Sequence, residues 1–463
     1  MGAAGDGGAS MGDACEARTA MTNPFAVARG ARLVTLAAVA LAGGGVLGCA
    51  CRREPPDLGS YAARSPAGSP IEVYTWWNKL GAIDPVAGLA EVHRRRHPDD
   101  LIMDALSGID RSGLTRKALR ARMMANHPPD IFEANAGHDL LQWVEMNGVD
   151  ASQSKLAALD DLVAGVAEWR QTVPRPIVDQ VSYRGKTYGV PVNIYRLNTI
   201  FYSKSVFERF RLTEPTSADD FAAMAEKLRG SGIPLLAVGS REPWTLALIA
   251  FECLLIAREG PGFYTDYFHG RVAPDDARIQ RTLEETLKLG NLFNPDHERL
   301  SWSDAIELVV SGKAAMSIMG DWARTIFDGR GLKVGVDFGQ MPFPGTADTF
   351  VFTSDAFALP VAAKNHAGAR RLLASMGTRE GQAAMNQPRG ALSARRDVPA
   401  PERAEISVTN HALLDRGALV LALSGLVSPA LASDVAESLA EMITEGEIAP
   451  VLQTLRSRHV LLH

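Results

Sequence analysis

Cysteine is scarce in this chain of 463 residues. Three of its four cysteines, Cys15, Cys49 and Cys51, precede the first strand-like segment, and only Cys253 lies in the part expected to fold. An internal disulfide is therefore excluded, because Cys253 has no partner there. Cys253 lies in the apolar run LALIAFECLLIA, which favours a buried and unreactive thiol.

A large excess of charge of either sign is also lacking, as are common catalytic motifs. Lys and Arg number 48 and Asp and Glu number 53, so there is no basic excess of the kind that binds nucleic acid. The chain contains no P-loop, G-x-S-x-G or H-E-x-x-H motif, and its ten histidines show no metal-ligand spacing. The sequence predicts no metal, no cofactor and no enzyme.

Long hydrophobic runs are limited to residues 33–48, which are too few and too rich in glycine for a membrane span. Arginines precede this run, as is typical of a secretory signal peptide, predicted here over residues 21–48. Residues 1–20 are interpreted as an upstream extension. The run ends in VLGC, which resembles a bacterial lipobox and makes Cys49 the predicted lipidation site.

Lipidation at Cys49 would anchor the protein to a bacterial membrane, in the periplasm or at the cell surface, with the lipid as its membrane attachment. The alternative is a soluble periplasmic protein cut nearby, because a signal peptide by itself establishes only export. Residues 49–70 are rich in Pro, Gly, Ser and Ala and are predicted to be a flexible tether.

Strand-like and helical segments alternate from Ile71 onward, which predicts an α/β body. Trp76 and Trp77 end the first strand, and ligands of open α/β sheets bind beyond the carboxyl ends of strands. Successive side chains of a strand point to opposite faces, so one ring is expected in the core and the other at a ligand.

A second aromatic position lies in GKAAMSIMGDWA, where Asp321 is predicted to cap a helix that starts with Trp322. An indole ring beside free backbone N–H groups suits a sugar, whose C–H face stacks on the ring while its hydroxyls find donors and acceptors. Core packing of Trp322 is the alternative, because Trp is well buried in many contexts.

Five motifs occur in an order typical of one family: RMMANHPPDIFEA, GVPVNIYRLNTIFYSKSVF, EPWTLALIAFE, SWSDAIELVVSGKAAMSIMGDWA and RGALSARRDV. They resemble the extracellular solute-binding proteins of carbohydrate ABC importers, the family that includes the maltose-binding protein. The resemblance covers most of the chain from Ile71 to about Arg396. VYTWW, GVPVN and GDWA look most similar to the glucose- and mannose-binding branch.

The resemblance implies a type II periplasmic binding protein with two α/β lobes joined by a multi-strand hinge. It implies one lobe from residues 71–190 and 355–392 and another from residues 191–354 and 393–463. It further implies a monomer that binds a carbohydrate in the cleft and delivers it to the transmembrane subunits of an ABC permease. The alternative is an exported carbohydrate-active enzyme or an orphan sugar receptor on a similar α/β body. By analogy, the ligand-binding residues are Trp76, Trp77, Asn78, Asn135, Trp244, Asp321, Trp322 and Arg389. For Trp244, which follows Pro243, lobe core is the alternative.

Two departures from the glucose- and mannose-binding branch concern the sugar itself. That branch tends to follow its double Trp with a Gly-rich turn and a glutamate, whereas this chain has NKLGA, with Ala82 and no acid before Asp84. It also tends to place a histidine where this chain has Asn135. We therefore expect that glucose is not the tightest ligand.

Overall fold

The computed structural model describes residues 69–77, 84–104, 114–145, 154–165, 169–399, 410, 412–414 and 416–459. The predicted signal peptide and Cys49 lie outside these residues, as does Asn78. Strands and helices alternate along the described chain, which confirms the α/β prediction. Within these residues, every helix is too short or too polar to span a bilayer.

The strands that form the sheets of the fold are short. They are β1 Ile71–Tyr74, β2 Ile102–Asp104, β3 Ile131–Asn135, β4 Ser182–Tyr183, β5 Lys186–Thr187, β6 Val190–Pro191, β7 Asn193–Arg196, β8 Thr199–Ser203, β9 Met316–Met319, β10 Phe338–Pro342, β11 Phe350–Thr353, β12 Asp355–Ala358, β13 Leu392–Ser393 and β14 Leu419–Leu421.

The helices surround these strands. They are α1 Pro85–Arg94, α2 Leu114–Met124, α3 His138–Glu145, α4 Asp160–Gly165, α5 Trp169–Thr172, α6 Arg175–Gln180, α7 Lys204–Phe210, α8 Asp220–Lys227, α9 Trp244–Ala247, α10 Ile256–Phe268, α11 Ala277–Gly290, α12 Trp302–Val310, α13 Arg324–Gly329, α14 His366–Met376, α15 Arg379–Asn386, α16 Leu423–Leu426, α17 Pro429–Glu445 and α18 Ala449–His459. A π-helix spans Leu248–Leu255, and 3₁₀ turns span His297–Arg299, Asp321–Ala323 and Gln387–Arg389.

The first lobe is built on a five-stranded sheet with the order β2-β1-β3-β12-β6. Strand β1 pairs in parallel with β2 and with β3, and β12 pairs antiparallel with β3 and with β6. Parallel neighbours need crossover connections, which α1 and α2 provide. Ile71 and Val73 on one face of β1 are fully buried, and Tyr74 on the other face is 3% exposed, as expected of a strand covered on both faces.

The second lobe is built on a three-stranded antiparallel sheet with the order β10-β8-β9. All five residues of β8 and all four of β9 are buried. A four-stranded central sheet has the order β13-β7-β11-β14. Along the chain, its strands β7 and β11 each lie between a strand of the first lobe and a strand of the second lobe. The predicted two-lobed α/β fold with a multi-strand connection is therefore confirmed, while the residue boundaries of the lobes stay a prediction.

The chain passes between sheets at two places that lie side by side. Val192 separates β6 from β7, and Ser354 separates β11 from β12. The amide of Val192 donates to the carbonyl oxygen of Asp355 at 2.9 Å. At both places a single residue connects a strand of the first lobe to a strand of the central sheet.

Two helical features position the residues of the candidate site. Helix α1 packs on α15, and a Cβ at Gly88 would come within 2.9 Å of the Ala384 carbonyl oxygen, so a glycine permits the close approach. Helix α15 leads directly into the 3₁₀ turn that carries Arg389. In the second lobe, α12 ends before Gly312, which has a φ of 65°, and the chain turns into the buried strand β9.

The π-helix Leu248–Leu255 is buried along its whole length and contains the charged residue Glu252. The Oε1 atom of Glu252 accepts the amide of Leu423 at 2.7 Å. The Oε2 atom of Glu252 has no hydrogen-bond partner among the described residues. Burial raises the pKa of Glu252 to about 7. The neighbouring Cys253 is a free thiol with no exposed surface, as the sequence predicted.

Replacing Glu252 should reduce the pH dependence of stability. The pKa of Glu252 rises from 4.5 to about 7 on folding, so the native state binds a proton that the unfolded chain releases, and stability falls as pH rises through this window. The loss is on the order of 3 kcal/mol. We expect Glu252→Gln, which keeps the acceptor for Leu423, to lose less stability between pH 5 and pH 8 in urea unfolding. The exposed Glu284→Gln is the control and should follow the wild type; an unchanged fall in Glu252→Gln would contradict the prediction.

Candidate functional site

The end of β1 is held by the buried carboxyl group of Glu133 on β3. Its Oε2 atom accepts the hydroxyl of Thr75 and, at 3.0 Å, the amide of Trp76. Trp77 follows with 7% of its surface exposed. Its ring packs edge-on against Phe357 and its Nε1 atom donates to Asp355 Oδ2 at 2.9 Å. Trp77 is thus a core residue whose indole N–H group donates to a carboxylate of the candidate site.

Trp76 is partly buried, and a cation lies over its ring. The Arg116 guanidinium carbon is 4.6 Å from the ring centroid, and Arg116 also pairs with Asp139 at 3.3 Å. Asp139 in turn accepts the amide of Asn135, which ends β3 opposite Asp355. Trp76 and Asn135 therefore lie at the carboxyl end of neighbouring strands, with Arg116 above the Trp76 ring.

Arg389 lies over the Trp77 ring. Its guanidinium carbon is 4.1 Å from the Trp77 ring centroid and 5.6 Å from that of Tyr195. Its Nη1 atom is buried and has no hydrogen-bond partner in the described residues. Such a contact with two aromatic rings holds a cation without neutralising it.

Trp322 lies in the 3₁₀ turn Asp321–Ala323 that follows β9. The prediction that Asp321 caps a helix starting at Trp322 is wrong: Gly320 precedes the turn as its cap, and α13 starts at Arg324. The physical reason is that the Asp321 carboxylate takes a hydrogen bond from the backbone of Arg196 rather than from its own turn. The Trp322 ring folds back over Gly320, where a Cβ would overlap it.

Three aromatic side chains surround Trp322. Its ring centroid lies 5.4 Å from that of Tyr195, 6.1 Å from Trp244 and 6.4 Å from Trp302. Trp244 is 36% exposed, so it lies at the surface rather than in the lobe core. Together these residues form an aromatic wall in the second lobe, and Trp322 itself is only partly buried.

Asp321 adds a carboxyl group beside this wall. Desolvation raises its pKa to about 7, opposed by the backbone of Arg196 and by the positive charges of Arg196, Arg324 and Arg389. Its Oδ1 atom is buried and has no hydrogen-bond partner within the described part of the chain. The carboxyl group can therefore accept or, when protonated, donate a further hydrogen bond.

Three residues that sequence reasoning missed connect the predicted ones: Glu133, Tyr195 and Asp355. Tyr195, on β7, lies between Arg389 and Trp322, and its hydroxyl is buried without a partner. Asp355 is 4% exposed and accepts from both Trp77 and Asn193. A signal existed for Glu133 alone, because a glutamate inside the apolar strand PDIFEA needs a reason to be buried.

The structure thus brings Trp77, Arg389, Asp321, Trp322 and Trp244 into one chain of contacts through Tyr195, with Trp76 and Asn135 at the Glu133 end. Asn78 lies outside the described residues. Within the described part of the chain, no group of three or more His, Cys, Asp or Glu side chains could hold a metal ion.

Comparison with known proteins identifies the family. A family model described as bacterial extracellular solute-binding protein matches residues 110–383, more than half of the chain. The chain belongs to this family.

Individual relatives agree with this solute-binding family. An uncharacterized ABC transporter extracellular-binding protein of Pyrococcus horikoshii is 32% identical over 71% of this chain and 73% of its own length. A probable sugar-binding periplasmic protein of Brucella melitensis is 29% identical over 71% of this chain and 76% of its own. The solved structure of the bacterial solute receptor AcbH superposes with a TM-score of 0.71 at 19% identity, over 85% of this chain and 98% of the receptor. That likeness shows a shared fold.

Gly320 should control the orientation of the Trp322 ring. Gly320 has a φ of −63°, which any residue adopts, so Gly320→Ala tests the space for the ring and not the backbone. We expect a loss of about 1 to 3 kcal/mol of stability from overpacking, with an altered near-ultraviolet circular dichroism spectrum from the displaced indole. Gly329→Ala, where a Cβ meets nothing within 4 Å, is the control and should change neither. An unaltered spectrum in Gly320→Ala would contradict the assignment.

Proposed function

We propose that this solute-binding protein is the substrate-binding component of an ABC-type sugar import system and that it captures a mono- or small oligosaccharide. The observation that carries the proposal is a set of four buried polar atoms, in residues near the Trp77 and Trp322 rings, that have no hydrogen-bond partner among the described residues. They are Glu133 Oε1, Tyr195 OH, Asp321 Oδ1 and Arg389 Nη1. Buried polar atoms are normally paired, so a ligand rich in hydroxyl groups is the partner they lack.

The aromatic wall supports the same ligand class. A pyranose has an apolar C–H face that packs on an indole ring and hydroxyl groups around its edge. Trp322 offers such a ring, and its ring contact Tyr195 and its chain neighbour Asp321 each carry a buried oxygen without a partner among the described residues. Arg389 and Glu133 address the ligand from the first lobe.

The names of relatives support a sugar as the ligand without specifying which sugar it is. One relative is a probable sugar-binding periplasmic protein, another is the xylose/arabinose-binding protein XacG of Haloferax volcanii, and a solved relative of the fold was bound with alpha-D-tagatose. The assignment to the glucose- and mannose-binding branch stays a prediction.

The proposed mechanism is closure of the two lobes on the sugar. Tyr195 lies on the central sheet and contacts Arg389 on one side and Trp322 on the other. A ligand that bridges both sides favours the closed state by its differential affinity. The permease subunits would then recognise the closed form of a monomer.

An enzymatic alternative has one feature in its favour and more against it. His93 contacts Ser375 Oγ through Nδ1 at 2.8 Å and Asp100 through Nε2 at 3.0 Å, an order that resembles a catalytic triad. His93 has no exposed surface, however, and the Ser375 hydroxyl donates to the carbonyl oxygen of Arg371 in its own helix. We propose that His93, Asp100 and Ser375 join α1 to α14. Glycoside turnover by the purified protein would refute the non-enzymatic function.

We propose further that Cys49 carries a lipid, which the VLGC motif supports. Cys49→Ser should move the mature protein from the membrane fraction to the soluble periplasmic fraction, because acyl chains bind bilayers in proportion to their buried CH₂ groups. Cell fractionation with fatty-acid labelling measures this. Cys51→Ser is the matched control and should stay membrane-bound; equal labelling of the wild type and Cys49→Ser would contradict the anchor.

Trp322→Ala tests the sugar site. Loss of a stacking ring should cost on the order of 1 to 3 kcal/mol of affinity, by analogy with bases stacked on aromatic side chains, so we expect binding weakened about tenfold to a hundredfold. Because Trp322 is only partly buried, its stability loss should be smaller than the roughly 3 to 5 kcal/mol of a buried Trp. Calorimetry with a panel of hexoses, pentoses and disaccharides, together with tryptophan fluorescence, measures binding.

Trp169→Ala is the matched control for Trp322→Ala. Trp169 is 2% exposed in the core of the first lobe, so its removal should lower stability strongly and leave the affinity of the folded protein unchanged. In the same panel we expect a sugar other than glucose to bind most tightly. A Trp322→Ala protein that melts many degrees lower and binds sugar normally would place this ring in the core and refute the site.

A further inference from the structure

Two carboxyl groups of the first lobe are buried on neighbouring strands. Glu133, on β3, has no exposed surface, and Asp355, on β12, is 4% exposed. Thr75 and Trp77 connect them: the Thr75 hydroxyl donates to Glu133 and accepts the Trp77 amide, and Trp77 Nε1 donates to Asp355. Two ionised carboxylates buried close together repel each other, which favours a proton on one of them.

The other partners of the pair indicate which group holds the proton. Asp355 Oδ2 accepts from Trp77 Nε1 and from Asn193 Nδ2, both at 2.9 Å, which stabilises its ionised form. Glu133 Oε2 accepts from Thr75 and from the Trp76 amide, but no N–H or O–H group of the described residues donates to its Oε1 atom. Burial, and then the charge of Asp355, raise the pKa of Glu133 well above its ordinary value. Glu133 is therefore the protonated member.

Among the described residues, the charges that face the pair balance only with this proton. Arg389 is the cation among them that acts on both Glu133 and Asp355, and the neutral phenol of Tyr195 also lies near the pair. Asp321 lies beyond Tyr195 and Arg389 and faces Arg196 and Arg324 as well. With one proton the set of Glu133, Asp355 and Arg389 is neutral, and without it a net negative charge is buried.

We propose that the ligand site carries one proton on the Glu133–Asp355 pair and that sugar binding depends on it. The inference rests on the proposed function, since it concerns the same site. The neutral acid of Glu133 can donate as well as accept, as hydroxyl recognition requires. A bound sugar also displaces water from the site, which makes an ionised pair more costly than it is in the open protein.

The consequence is a defined pH dependence of affinity. Where Glu133 starts to lose its proton, the sugar must restore it, so the affinity should fall by up to about tenfold per pH unit as pH rises. Glu133→Gln imitates the protonated acid, because the amide keeps one oxygen for Thr75 and Trp76 and offers an N–H₂ group to Asp355. We expect it to retain affinity at alkaline pH where the wild type loses it.

The experiment is calorimetric titration from pH 5.5 to pH 9 with the sugar that binds best in the panel, in two buffers of different ionisation enthalpy. Proton uptake on binding is expected for the wild type and should be reduced in Glu133→Gln. Glu252→Gln is the matched control, because Glu252 is a buried carboxyl group with a raised pKa that lies in the second lobe's core, away from this site. Superimposable pH profiles for the wild type and Glu133→Gln would overturn the inference.

A second measurement needs no sugar. In protein labelled with ¹³C at the glutamate carboxyl carbon, the signal that disappears in Glu133→Gln should titrate far above the ordinary glutamate range, and the Glu252 signal is assigned with Glu252→Gln. A Glu133 signal that titrates in the ordinary range would overturn the inference. If no sugar of the panel binds, the proposed function fails, and this titration still decides whether the pair holds its proton.

Discussion

The reciprocal pair of Asn193 and Asp355 is the contact on which the arrangement of the site depends. Asn193 Nδ2 donates to the Asp355 carboxylate at 2.9 Å, and the Asp355 amide donates to Asn193 Oδ1 at 2.8 Å. Asn193 starts a strand of the central sheet and Asp355 starts a strand of the first lobe's sheet. The pair therefore fixes the place where the chain crosses between sheets, and the same carboxylate receives Trp77.

A buried arginine performs a similar task at the other end of β7. Arg196 is 1% exposed, and its side chain donates to neutral oxygens, among them Asn198 Oδ1, Asn410 Oδ1 and the Thr349 carbonyl oxygen. Burial without a paired carboxylate lowers its pKa to about 10. Its backbone meanwhile holds Asp321. One residue thus connects the turn that carries Trp322 to the segment that leads into β11.

Local sequence pattern was sufficient for the positions that follow a readable strand. Trp76 and Trp77 come after an apolar β1, and Trp322 comes after an apolar β9, so both aromatic positions could be predicted before any tertiary contact was known. The two lobes could be predicted from the family motifs. Glu133 and Asp355 could not be paired from the sequence, because β3 and β12 meet only through the order of the sheet.

The same limit explains the residues that were missed or misplaced. Tyr195 lies in a motif that reads as an ordinary strand, and its importance comes from Arg389 and Trp322, which are distant along the chain. Asp321 looked like a helix cap because its usual partners are local N–H groups, whereas here the backbone of Arg196 takes that place. In each case a long-range contact overrides the local preference.

The edges of the first lobe's sheet have a consequence for aggregation. The edge strand β2 has three residues and the opposite edge strand β6 has two. Leu101 and Met103 at the β2 edge are 58% and 44% exposed, so a longer strand there would present an apolar template to another copy of the chain. Short edges expose few unpaired N–H and C=O groups. Over the described residues, these two edges therefore offer little length for intermolecular β-pairing.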